Sequence, residues 1–381
     1  MSKKRKVNPL RVLILILPFV LILGLIVGFV KTKVANKVEP EEPEPEIITE
    51  IINNTNKDII YLAVGDNYQL NYSFTTNEKD TTSSLNYSSS NPSAVYVNND
   101  GLIKAVGGGE ATITISINDI QETIKVISTS LIYPINNNYE SKSSLPCGIY
   151  SKEDNDLLDE ILKDRINDGG YKTRAGVVAA ARFLTLEFPY RINYFYENGR
   201  ITSKADGEGR YYHEGLYLNE SRYESIVVSS SGPKCWGCSL YSEPIETNMP
   251  NGLDCSGFVT WALVNGGFDP GDVGAGGEDY SNKTLFFFGE RENIVVDSIN
   301  KIKAGDLVHN EKASGHIGII IGIDDEHVYV AQATWQDSYL FDPPYGVVVT
   351  KYTYEEFADD WNEVMLMDSY YNENGNYSNM W

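Results

Sequence analysis

The 381-residue sequence predicts a multidomain chain: a transmembrane helix, then an all-β sandwich, then an α+β domain. Three observations carry this. Val12 to Val30 is a run of 19 residues without a charge. Residues 47–128 are short alternating apolar runs separated by turn residues. Beyond residue 145, helical periodicity comes first and strand-like runs close the chain.

The uncharged run has about the length a helix needs to cross a bilayer. Lys3, Lys4, Arg5, Lys6 and Arg11 precede it, which orients the N-terminus toward the cytoplasm. It is long for a cleaved signal peptide, and no small-x-small cleavage site follows. Residues 1–38 therefore read as a basic tail and anchor. They hold 8 of the 31 Lys and Arg and no acid, so the remainder carries 23 positive against 53 negative side chains, a charge of −30. Nucleic acid is an unfit partner for that surface, since its binding depends on Lys and Arg neutralising phosphates. A solvated extracytoplasmic portion fits it. Residues 39–46 alternate Glu and Pro and read as a stiff, self-repelling linker.

In residues 47–128 the alternating runs are Ile59–Leu62, Tyr68–Tyr72, Ala94–Val97, Ala111–Ile115 and Thr123–Val126. Short strands broken by turns argue for a β-sandwich. The stretch Ser88 to Val95, followed by Gly101 to Gly107, resembles bacterial Ig-like group 2 domains. That resemblance implies a module that binds carbohydrate or protein, or one that spaces its neighbours. No aromatic cluster or charge patch marks a binding face, so a spacer is expected. Residues 129–145, rich in Ser and Asn, read as a linker to a domain spanning 146–381.

That domain opens on helices. Leu157, Leu158, Ile161 and Leu162 form one apolar face, stopped by Gly169-Gly170. Ala175 to Leu186 gives a second helix, ended before Pro189. Residues 190–250 read as loops, with Tyr194, Tyr196, Tyr211, Tyr212 and Tyr217 scattered through them. Gly305 to Val308, His316 to Ile321, His327 to Gln332 and Gly346 to Thr350 read as successive strands.

Four cysteines are too few for a disulfide scaffold in a chain of this length. Cys235 and Cys238 could form a disulfide, a redox pair or half a zinc site. No second paired motif accompanies them and no thioredoxin-like βαβ context is visible, so neither a metal nor a cofactor is expected. Cys147 reads as structural or free.

Cys255 differs. Asp254-Cys255-Ser256-Gly257 follows a small polar segment and opens an apolar helical run. The first turn of a helix favours negative charge, so the thiol is expected to ionise more easily than a free cysteine. Gly315-His316-Ile317-Gly318-Ile319 sets a histidine at the start of a strand about sixty residues later. A Cys on a helix and a His on a distant strand are the sequence form of a Cys–His hydrolase. His213, His309 and His327 read as surface residues.

Asp254 to Gly257, Gly305-Asp306-Leu307 and His316 to Ile319, in that order, resemble the NlpC/P60 family of cell-wall cysteine peptidases. The third polar residue of that family matches Gln332, in Val330-Ala331-Gln332-Ala333. The likeness covers roughly residues 234–370. It implies a papain-like α+β fold and a Cys255–His316–Gln332 triad. It also implies a substrate-binding region around Trp236, Asp254, Ser256 and Gly315. Where the family often has Tyr-x-Trp-Gly this chain has Lys234-Cys235-Trp236-Gly237, and the segment from Gly237 to Cys255 is long. Both departures fall where the family shapes its substrate pocket. The implied substrate is the peptidoglycan stem peptide, cut between γ-D-glutamate and a diamino acid. Rival readings are an amidase or acyltransferase of the same fold, an adhesion protein whose Ig-like domain holds the partner, and a structural anchor without chemistry.

Overall fold

Residues 45–77, 81–135, 142–146, 148–194, 216–217, 253–270, 288–294, 296–310, 315–334, 346–361 and 363–381 are described in a computed structural model. The expected membrane span, Cys147, Tyr196, Tyr211 to His213, Cys235, Trp236 and Cys238 lie outside them. Among the described residues no helix is long and apolar enough to cross a membrane. The chain divides into two compact units, one of residues up to Ile52 with Phe74–Ser83, the other of Asn53–Ser73 with Ser84–Trp381.

In the first unit, strand β1 (Ile48–Asn53) pairs with part of the strand that ends at Thr76. Glu46 accepts hydrogen bonds from Thr76, Thr81 and Ser83 hydroxyls there.

The second unit begins with the sandwich. Its strands are β2 (Ile59–Ala63), β3 (Asn67–Gln69), β4 (Tyr72–Thr76, shared with the first unit), β5 (Asn86–Ser89), β6 (Val95–Val97), β7 (Leu102–Ala105), β8 (Gly109–Ile117) and β9 (Ile120–Thr129). One sheet runs β2-β9-β8-β5 and the other β3-β7-β6. β2 lies parallel to β9, whereas β8 and β9 form a long antiparallel hairpin. The alternation legible in the sequence is the physical reason. Ala111, Ile113, Ile115 and Ile117 on β8 are buried, as are Ile124 and Val126 on β9, while intervening residues face outward.

Helices α1 (Lys152–Gly169) and α2 (Arg174–Arg182) follow. Ser151 and Asp154 form a reciprocal capping box at the start of α1, and Thr173 caps α2. The expected second helix is shorter in α-form than its sequence pattern. From Phe183 to Glu187 it widens into a π turn, with Phe188 N–H donating to Phe183 O at 2.8 Å and Thr185 Oγ1 donating back to Ala181 O.

Helix α3 (Cys255–Asn265) then leads to β10 (Glu290–Asn293), β11 (Leu307–Asn310), β12 (His316–Ile323), β13 (His327–Thr334), β14 (Gly346–Thr353), α4 (Tyr354–Asp360), β15 (Glu363–Leu366) and α5 (Asp368–Tyr371). The six strands form one antiparallel sheet in the order β10-β15-β11-β12-β13-β14. Each face has its own core. Leu307, Ile317, Ile319, Ala331, Ala333 and Val349 pack with Phe258, Val259 and Ala262 of α3 and with α1 and α2. Val308, Ile320, Val328, Val330 and Tyr352 pack with Phe357 and Trp361 on the other face.

The Gly305-Asp306-Leu307 turn has a structural role. Asp306 is buried, pairs with the fully buried Arg174 of α2 at 2.7 Å, and accepts the N–H groups of Met367 and Lys303. Gly305 has φ +94°, and a Cβ there would stand 2.9 Å from Arg174 Cγ. Ile132 and Leu145, from the expected linker, are buried in the same core as α1. His309 is fully buried on β11, 3.6 Å from Glu363, and is no surface residue; its strand is inside the sheet between β12 and β15. His327 is only partly exposed and meets Asp324.

Candidate active site

Asp254 is the N-cap of α3. Its extended backbone precedes the helix, and Oδ1 accepts from Gly257 N–H at 2.5 Å and from Ser256 Oγ at 3.0 Å. Both residues are buried, so their polar atoms meet at the helix start, one residue either side of Cys255. Cys255 is partly exposed as a residue and carries a free thiol. The backbone N–H groups of Ile317, Ser256 and Cys255 itself lie close enough to favour its thiolate. Ile317 follows His316 directly, so helix α3 and strand β12 meet at this point.

The electrostatics run against the expectation from the helix start. Burial pushes the Cys255 thiol up to about 12, and the adjacent Asp254 carboxylate adds to this; the three N–H groups pull the other way and do not prevail. The capping carboxylate that builds the helix thus offsets the dipole of that same helix. His316 is driven below its usual range by burial, with the Gln332 hydrogen bond opposing. Both shifts favour the uncharged forms, a thiol and a neutral imidazole.

His316 and Gln332 are brought together. Strands β12 and β13 are neighbours, and His316 Nε2 lies 2.5 Å from Gln332 Oε1. Gln332 shares a sheet face with Val330 and Val328, the face covered by Trp361. The Trp361 ring stacks on His316, centroids 5.5 Å apart at 23°. The Gln332 amide N–H groups reach Thr350 Oγ1 at 2.9 Å and Tyr352 Oη at 3.4 Å. Among the described residues no hydrogen bond joins the Cys255 thiol directly to the His316 ring. Gly315, with φ +83°, turns the chain into β12 just before that ring.

Thr350, Tyr352 and Trp361 are not among the site residues read from the sequence. Thr350 and Tyr352 had a signal, being two apart on a strand. Trp361 had none, since it follows a short helix whose placement depends on the whole sheet. Among the described residues no group of acidic, His or Cys side chains could hold a metal ion.

Comparison with known proteins concerns the sandwich. No curated protein matches the sequence. Domains 4 and 5 of the S-layer protein SbsC align at 18% identity over 22% of this chain and 54% of theirs, TM-score 0.20. A GH10 xylanase with a bacterial Ig-like domain, from termite gut, aligns at 18% identity over 30% of this chain and 26% of its own, TM-score 0.16. Human protocadherin-24 EC1-2 aligns at 22% identity over 28% and 59%, TM-score 0.16. The chain spans about half the length of the first solved structures it matches. Residues 53–127 match the family of bacterial Ig-like domains (group 2), and they carry the sandwich described above.

Proposed function

We propose that the C-terminal domain is a cysteine peptidase of NlpC/P60 type, with Cys255 as nucleophile, His316 as base and acid, and Gln332 as the group that holds the imidazole. The observation that supports this most is the meeting of helix α3 with strand β12, where the Cys255 sulfur lies against the N–H of Ile317 while the preceding His316 is hydrogen-bonded through Nε2 to Gln332. Nδ1 remains to take the thiol proton. With both groups neutral at rest, that proton moves to His316 as sulfur attacks the amide carbonyl, so His316 is a general base in the attack. The carbonyl oxygen gathers charge near the first-turn N–H of Cys255. The imidazolium then protonates the leaving amine. A water loses its proton to His316 and releases the acyl group from sulfur.

The substrate class is the peptidoglycan stem peptide, and the γ-D-glutamyl to diamino acid bond is the bond cut. An acidic, solvated portion behind a membrane anchor of residues 1–38 suits work at the cell wall. The test is mass spectrometry of fragments released from purified peptidoglycan. Wild type releases cut stem peptides, and Cys255→Ala, with an unchanged far-UV spectrum, releases none. Full release by Cys255→Ala removes the peptidase reading. The adhesion reading would then lead, with the Ig-like domain as the binding part.

A further inference from the structure

The Gln332 side chain is an amide, and an amide can face a histidine with either end. Its orientation decides which nitrogen of His316 carries the proton. If Oε1 faces the ring, Nε2 must be protonated and Nδ1 is left with a lone pair. If the N–H end faces the ring, the proton sits on Nδ1 and the nitrogen needed to take the thiol proton is blocked.

The surroundings select one orientation. Strand β14 places Thr350 and Tyr352 on the same face, beside Gln332 on β13. Both hydroxyl oxygens lie on the amide nitrogen, at 2.9 and 3.4 Å. In this orientation the two amide hydrogens meet two hydroxyl oxygens while Oε1 meets the His316 ring, so all three contacts are made at once. Tyr352 is buried, so water is a poor substitute partner at that end.

We propose that Thr350 and Tyr352 are positioning residues: they fix the Gln332 amide with Oε1 toward His316, and through it hold His316 as the Nε2–H tautomer with Nδ1 free. The catalytic part of this inference rests on the peptidase reading; the tautomer part does not. Neither residue touches substrate. They act through Gln332, as a third triad member is itself held.

The test is ¹⁵N NMR of the imidazoles in the full chain at pH 8, with His316 assigned by the signal lost in His316→Gln. Wild type shows the Nε2–H pattern. The double variant Thr350→Val, Tyr352→Phe, which removes both acceptors while keeping shape, shows mixed or Nδ1–H character. Thr350→Ser on the wild-type background keeps the Nε2–H pattern. If the double variant melts early, Thr350→Val alone is read in the same way, since it removes the shorter contact. Turnover on stem peptides is measured beside it. The double variant loses roughly tenfold to a hundredfold in kcat at constant KM, and Thr350→Ser retains it. An Nδ1–H wild type, or a double variant that keeps a pure Nε2–H ring and full kcat, overturns the inference. A tautomer change as expected in a wild type that cuts no stem peptide supports the positioning role and removes the peptidase reading.

Discussion

Cys255 has the surroundings of a thiol that ionises on demand. Three backbone N–H groups favour its thiolate, yet burial and Asp254 outweigh them and push the thiol up. Iodoacetamide labelling between pH 4 and 10 is expected to give a Cys255 midpoint above the free value of about 8.5. His316→Ala should leave that midpoint in place, because no imidazolium holds the thiolate at rest. A midpoint near neutral pH that rises in His316→Ala would show a preformed ion pair instead. His316 must be neutral to accept the proton, and burial holds its pKa below the ordinary 6.5. Activity should therefore persist as pH falls through 6.5 and fail below it. An acid limb of kcat/KM at or above 6.5 would contradict this. How much of the site was legible at this scale is uneven. Cys255, His316 and Gln332 could be read from local motifs. The sign of the thiol shift could not, because desolvation is set by everything packed around the sulfur and a helix start reports only its own dipole.

At the scale of elements, the turn before β11 ties helix α2 to the sheet through one buried pair. Arg174 and Asp306 are both almost without solvent contact. Removing one partner strands a buried charge, so Asp306→Ala should cost about 3–5 kcal/mol in urea denaturation. A loss under about 1 kcal/mol would mean that neighbouring Asp368 takes over Arg174. The β12–β13 turn has a milder device. Asp324 is pushed up by partial burial, but the N–H of Glu326, the Tyr329 hydroxyl and the N–H of His327 bring it down to about 2. A carboxylate with a depressed folded pKa stabilises above its unfolded value and loses that contribution as pH falls. The contribution of Asp324 should thus disappear between about pH 4 and pH 2. Comparison of Asp324→Asn with wild type across that window reads it, and equal pH slopes would dismiss it.

Over the whole molecule, the Ig-like sandwich bears directly on helix α1 within the second unit. Lys57 bridges Asp164 at 3.0 Å and Asp168 at 2.6 Å, and Arg165 joins Glu187 to the backbone oxygen of Tyr61. Tyr61 and Ala63 enter the same core as Leu158 and Leu162. A sandwich serving as a loose spacer would be removable without loss. Here Lys57→Ala should cost about 1.5–3 kcal/mol, since it leaves two carboxylates facing each other. A truncated chain starting at residue 130 should melt below wild type. An unchanged melting temperature would favour the spacer reading. Protease shaving of intact cells tests the proposed anchor: residues 47–381 should be cleaved from outside, and a protein released freely after a cut near residue 35 would remove it.

The sequence by itself determined the sandwich strands, the first two helices, the Cys255 helix start and the strands of His316 and Gln332. These rest on period and caps, which are local: alternation on β8 and β9, Ser151 and Asp154 around α1, Asp254 before α3. The short strands β10 and β15 and helix α4 were not legible, being four, four and seven residues long with too few repeats to show a period. The burial of His309 belongs with them, for β11 is an interior strand only because β15 returns from far along the chain to pair with it. Tertiary structure alone decided what surrounds the candidate triad. Thr350, Tyr352 and Trp361 reach His316 and Gln332 through strand order, and the upward push on the Cys255 thiol comes from packing, because desolvation is a property of the assembled volume and not of any stretch of sequence.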